Sequence, residues 1–161
     1  MSDDTLVINS PRDFADAVQW VLDEAVSQRS RRLLLSDPDF CAWPLNAEPV
    51  RTALTAFARM PGRQVIMIAS RFDRVQPQHP RFFAWYRVWG HTVTALAPVE
   101  AGADIPCLAA ADRHHGLLLT DPQNSLGRRM VHDAALRRAV DELDALAQRC
   151  ERSLPATTLG L

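Results

Sequence analysis

Two short runs in this chain are apolar at every position, and each follows a segment with helical periodicity. Leu33, Leu34 and Leu35 form one run, which ends in Ser36-Asp37-Pro38-Asp39; Val65 to Ala69 form the other, which ends in Ser70-Arg71. Successive side chains of a strand point to opposite faces, so a strand without polar positions has no face to give to water. Both faces of the sheet must therefore be covered, and the preceding helices are the means. In the first, Phe14, Val18, Val21, Leu22, Ala25 and Val26 recur at three- and four-residue spacing up to about Gln28. Ser10 can cap it, Pro11 suits its first position and Asp13 completes a capping-box pattern. In the second, Asn46 is the expected cap, Val50, Ala53, Leu54 and Phe57 share a face, and Pro61-Gly62 ends the helix.

The rest continues the alternation and then changes it. His79-Pro80-Arg81 opens a third helix rich in aromatics, with Gly90 as its expected C-cap, followed by an alternating strand from His91 to Leu96. A polar connection from Pro98 to Pro106 leads to two short strands, Cys107 to Ala111 and Gly116 to Thr120. A long closing helix then carries Val131, Leu136, Val140, Leu143, Leu146 and Ala147 and ends near Glu151. Thr5 to Ile8 reads as a short leading strand, and residues 154–161 as a non-helical tail. The expected class is α/β: a mostly parallel mixed sheet with helices on both faces and an antiparallel element near its end. At 161 residues and 47% hydrophobic content, one domain over residues 1–161 is expected.

Eighteen cationic residues, all of them Arg, face 19 acidic ones, giving a net charge of -1 spread along the sequence. That balance gives no reason to expect nucleic acid or an anionic membrane surface as a partner. Cys41, Cys107 and Cys150 are odd in number, far apart and in no metal-ligand spacing, which suits buried thiols in a reducing compartment. With no apolar N-terminal stretch and no run of membrane-spanning length, a cytoplasmic protein is expected. No pair among His79, His91, His114, His115 and His132 has a helical metal-binding spacing, and no Gly-rich phosphate loop or nucleophile elbow is present. Neither a metal nor a cofactor is expected.

The stretch most suggestive of chemistry runs from Asp112 to Asp121, Asp-Arg-His-His-Gly-Leu-Leu-Leu-Thr-Asp. His114 and Asp121 stand seven residues apart, with Gly116 between them. This spacing resembles the motif of the phospholipase D superfamily, His, any residue, Lys, four residues, Asp, with Gly116 in place of the lysine. The resemblance extends to the order of elements over most of the chain. The Trp43-Pro44-Leu45 turn, the segment from Arg71 to Phe82 and the closing Pro155 to Leu161 resemble an uncharacterised bacterial family distantly related to that superfamily. It implies a single half of a phospholipase D-like fold and a two-fold homodimer to bring two motifs together. It also implies a nucleophilic His114 supported by Asp121, acting on a phosphodiester. Downstream the sequence departs again: Gly127-Arg128-Arg129-Met130 stands near where the superfamily often has Gly-Ser-x-Asn.

Loss of a charged donor aimed at a transferring phosphoryl group costs about 3 to 4 kcal/mol of barrier. An arginine can supply a guanidinium but does not reproduce an ammonium placed from the motif's third position. Arg113, Arg128 and Arg129 are near in sequence; Arg71, Arg74, His79 and Arg81 form the densest cationic stretch, interleaved with Phe72, Phe82, Phe83, Trp85, Tyr86 and Trp89. Phe82, Trp85 and Trp89 also fit a helix face turned to the sheet. Asp37 and Asp39 beside Pro38 can form a carboxylate pair or an ordinary turn. The leading expectation is a non-catalytic protein with a degenerate motif, binding a phosphate-bearing ligand or another protein. The alternatives are a homodimeric phosphodiesterase or nuclease using His114 with Arg in place of Lys, and a protein-interaction module.

Overall fold

A computed structural model describes residues 6–154; Thr5 and the tail beyond Leu154 lie outside the described residues. Eight strands form one sheet: β1 (Val7–Ile8), β2 (Arg32–Ser36), β3 (Gln64–Ile68), β4 (Val93–Pro98), β5 (Cys107–Ala111), β6 (His115–Asp121), β7 (Leu126–Val131) and β8 (Cys150–Arg152). Their spatial order is β1-β7-β6-β5-β2-β3-β4-β8. Only β2-β3 and β3-β4 are parallel; the other five pairings are antiparallel. The expectation of a mostly parallel sheet is therefore corrected. Crossover helices enforce parallel pairing of β2, β3 and β4, whereas β5, β6 and β7 follow one another through short turns that permit only antiparallel neighbours, and β1–β7, β2–β5 and β4–β8 are antiparallel pairings of strands distant in sequence.

Alternation along the strands divides the interior into two cores. Leu33 and Leu35, Val65 and Met67, Ala109 and Leu117 face α1 (Pro11–Ser27), α2 (Glu48–Arg59) and α4 (Pro80–Trp89). Leu34, Ile68, Leu108, Ala110 and Met130 face Leu136, Val140 and Leu143 of α5 (Ala134–Ala147). Helices thus cover both faces, but unequally, with α5 the main cover of the second. A four-residue helix, α3 (Val75–Gln78), precedes α4.

Local signals behave as short-range chemistry requires, with instructive exceptions. The Ser10 hydroxyl accepts the N–H of Asp13 at 3.0 Å, and the Asp13 carboxylate accepts that of Asn9, so α1 starts as expected. Asn46 caps a different helix: its side-chain oxygen accepts the N–H groups of Arg81 and Phe82 at 2.7 and 3.3 Å, at the start of α4, while Ala47 stands before α2 without a side-chain cap. Gly90 has ordinary helical φ and leads into a 3-10 turn over Gly90–Thr92. Cys150–Arg152, expected within the closing helix, adds a short antiparallel strand beside β4. Val131 belongs to β7 and not to α5. Tyr86 ties the end of the described chain down by donating its hydroxyl to the Leu154 carbonyl, and burial raises its pKa.

Because one helix covers most of the second face, Leu136→Ala is expected to lower the unfolding free energy by about 2–5 kcal/mol. Urea denaturation monitored by circular dichroism measures it; an effect below 0.5 kcal/mol, on the order of a surface substitution, would show that α5 docks loosely.

Candidate functional site

The near-motif straddles the β5–β6 hairpin and the strand leaving it. Ala111 closes β5, residues 112–114 form the turn with Asp112 at φ 52°, and β6 starts at His115. Asp112 fastens this turn to the start of β2, its carboxylate accepting the N–H groups of Arg31 and Arg32 at 3.2 and 3.1 Å. His114 is exposed on the turn. Asp121 ends β6, where its carboxylate accepts the side-chain N–H of Asn124 at 2.7 Å. At about 3.3 Å per residue, the strand sets the two roughly 20 Å apart. They cannot touch within one chain.

Gly116 occupies the lysine position and pairs with Ala110 and Met130. It faces α5 from within the sheet. A Cβ built on it would meet the Ala109 carbonyl oxygen and a Leu136 methyl at 2.6 Å each. Any side chain here collides with backbone and with the helix that covers the second core. The position that holds an active-site ammonium in the resembling motif is, in this chain, where the sheet makes room for α5.

The arginines do not compensate. Arg113 pairs with Asp141 on α5 at 2.9 Å, Arg128 with Asp133 at 3.2 Å, and Arg129 lies over the Trp20 ring at 5.2 Å. Arg71 and Arg74 follow β3, at the end of the sheet opposite the hairpin, because β5 runs antiparallel to β2 with Ala111 beside Leu33 and Leu108 beside Ser36. Arg71 approaches Asp39 and Asp73 at 3.8 and 3.7 Å, an exposed link of small energy. Arg74 rests 4.0 Å from the Cys41 thiol, which raises its pKa. His79 is buried, its ring nitrogen 2.8 Å from the Phe40 carbonyl. Arg81 is exposed, and its backbone N–H serves the Asn46 cap. None of Arg71, Arg74, His79 and Arg81 lies at the hairpin.

At that far end, the carboxylates make turns. One Asp37 oxygen accepts the N–H groups of Asp39 and Phe40 at 3.1 and 2.8 Å, and Asp39 accepts that of Cys41 at 2.9 Å. These bonds hold Phe40 at φ 63° with its ring fully buried against Trp43 and Phe72. Beneath them burial, with Asp37 nearby, pushes the Cys107 thiol far above its ordinary range. Of the three expected buried thiols only Cys107 is fully buried; Cys41 and Cys150 are partly exposed.

The hairpin gathers residues that sequence spacing did not associate. His132 returns beside the turn, its backbone N–H donating to the His114 carbonyl at 2.7 Å. Its ring lies 5.1 Å from that of His114 and 5.8 Å from that of His115. His115 turns to the α1 side, 3.7 Å from Glu24 and against Trp20. The link was hidden because β7, with Gly127, Arg128 and Arg129, does not read as a strand. Pairing of His115 with Val131 is what carries His132 there. Among the described residues, no group of three or more His, Cys, Asp or Glu side chains could hold a metal ion. A groove of about 640 Å³ between α1 and α2 is lined by Gln19, Asp23, Val26 and Glu48 among others and is separate from the hairpin.

No family model matches the chain, and no curated protein matches it. The structure is similar to that of TrmBL2, an archaeal chromatin protein with a novel mode of DNA binding, at a TM-score of 0.61 and 13% identity. The likeness covers 91% of this chain and 53% of that one, so this chain spans about half of its neighbour's length. At this identity the likeness concerns the fold alone. No helix among the described residues is long and apolar enough to cross a membrane.

Two outcomes test this geometry. Gly116→Ala is expected to destabilise the protein by about 1–3 kcal/mol in chemical denaturation. Gly116→Lys, which completes the motif spacing, is expected to displace α5 or prevent folding and to yield no hydrolysis of a phosphodiester; a folded, active variant would contradict it. Separately, a thiol reagent at neutral pH should modify Cys41 in the native protein and leave Cys107 untouched until denaturant is added.

Proposed function

We propose that this chain is a non-catalytic domain of phospholipase D-like descent that binds a phosphate-bearing ligand at the hairpin end of its sheet. The observation that carries the non-catalytic part is Gly116. Its surroundings admit no side chain, so the lysine position contributes backbone packing and no charge. A homodimer would not repair this, because a second copy brings a second glycine and again no lysine. His114 stays exposed beside His132, and neither ring is engaged by a carboxylate in an ion pair among the described residues. Two neighbouring imidazoles on a turn can donate N–H groups to phosphate oxygens without performing transfer chemistry. Binding of this kind needs only surface donors, whereas transfer needs the ammonium that the packing excludes.

The test is a pair of assays on the whole chain. Bis(4-nitrophenyl) phosphate is expected to be hydrolysed no faster by the natural protein than by His114→Ala. Pyrophosphate at about 100 times its dissociation constant is expected to stabilise the fold by roughly 2.7 kcal/mol, and His114→Ala with His132→Ala to weaken that stabilisation. Hydrolysis that vanishes with His114 would establish a phosphodiesterase instead.

A further inference from the structure

The net charge of -1 conceals a segregation that folding produces. Arg29 and Arg31 precede β2, Arg59 ends α2, and Arg63 precedes β3. These segments meet: the Arg63 guanidinium donates to the Arg29 carbonyl at 3.2 Å, and the N–H of Gln64 to the Arg31 carbonyl at 3.1 Å. The hairpin adjoins them through Asp112, and His132 adjoins the hairpin through the His114 carbonyl. Arg137 follows in the first turn of α5. Most of the carboxylates interspersed here are engaged, Asp112 by the backbone of Arg31 and Arg32, Asp141 by Arg113, Asp144 by Arg32 and Asp133 by Arg128, while Glu24 stands beside His115 and Gln28 on the α1 side. No carboxylate among the described residues forms an ion pair with Arg29, Arg31, Arg59, Arg63 or Arg137. At the opposite end stand Asp37, Asp39, Asp73, Glu100 and Asp104, with Arg71 drawn between two of them and Arg74 beside Cys41.

Spacing decides what such a row can bind. From β3 to β7 the sheet order has four steps, and neighbouring strands lie about 4.8 Å apart, so the row is about 19 Å long. Cations spread over that length cannot converge on one phosphate. They can each face a different phosphate of a regular polyanion, whose charges recur every 3.4 Å or so along one strand of a duplex. We infer that the hairpin end, with the arginines before β2 and β3, is a binding surface for the phosphate backbone of a nucleic acid. This rests on the proposed phosphate-binding role of the hairpin and names its ligand class.

The experiment is fluorescence anisotropy of a labelled 20-base-pair DNA duplex with the whole chain, at several salt concentrations. Binding in about the 10⁻⁴ to 10⁻⁶ M range, equal for two unrelated duplex sequences, is expected. The double variant Arg29→Ala/Arg31→Ala is expected to weaken it at least tenfold and to reduce the slope of log affinity against log salt by about 2. Arg71→Ala/Arg74→Ala, at the other end, is expected to change neither. Thermal melts confirm that both variants fold; should the first fail to fold, Arg59→Ala/Arg137→Ala replaces it. Equal loss with both pairs, or loss with neither, overturns the inference. Stabilisation by pyrophosphate or inorganic polyphosphate without duplex binding also overturns it while the phosphate-binding role stands. If none of the three binds, both fall.

Discussion

The close approach of α5 to Gly116 is the contact on which the rest of the structure depends. Leu136 sits where a Cβ at residue 116 would be, and that fit lets one helix close the second face of an eight-stranded sheet. In the proposed phospholipase D-like reading, the same contact takes the position where the motif has its lysine. Packing holds this position in the sheet, and no side chain fits there. The consequence is a motif outline, His114 and Asp121, whose two ends stand a strand's length apart with a packing glycine near the start.

The first two thirds of the fold could be read from residues because each element announces itself locally. Leu33 to Leu35 are buried on both faces, Val65 to Ala69 are buried except for the partly buried Ile66, and α1 begins at the Ser10 cap that its sequence advertises. The last third was harder for physical reasons. β7 carries Gly127 at a close approach to Leu118 and Leu119, and its Arg128 and Arg129 leave it no apolar alternation. Asn46 is an exception within the first two thirds: its position suits the nearest helix, yet its partner lies 35 residues away. Such long-range capping leaves no trace in spacing. The pairing of β6 with β7 brings His114 and His132 together, and no spacing in the sequence reveals it.

Charge offers a parallel case. Along the sequence arginines and acids alternate closely enough to suggest a neutral surface. The topology sorts them, because the segments entering β2 and β3 and the hairpin between β5 and β6 meet at one end of the sheet, while those leaving β2 and β3 meet at the other. Arg31 and Asp39, eight residues apart, thereby reach opposite ends of the molecule. The densest cationic stretch of the sequence, Arg71 to Arg81, falls at the end where carboxylates hold Arg71.

The central claim is that phosphate-bearing ligands meet this protein at the hairpin end and nowhere near Asp37 or Arg71. Amide chemical-shift mapping during titration with a short DNA duplex tests it most directly. Perturbations confined to residues 29–32, 59–64, 112–115 and 132–137 are the predicted result. Perturbations centred on residues 37–41 and 71–74, or none at millimolar ligand, would contradict it.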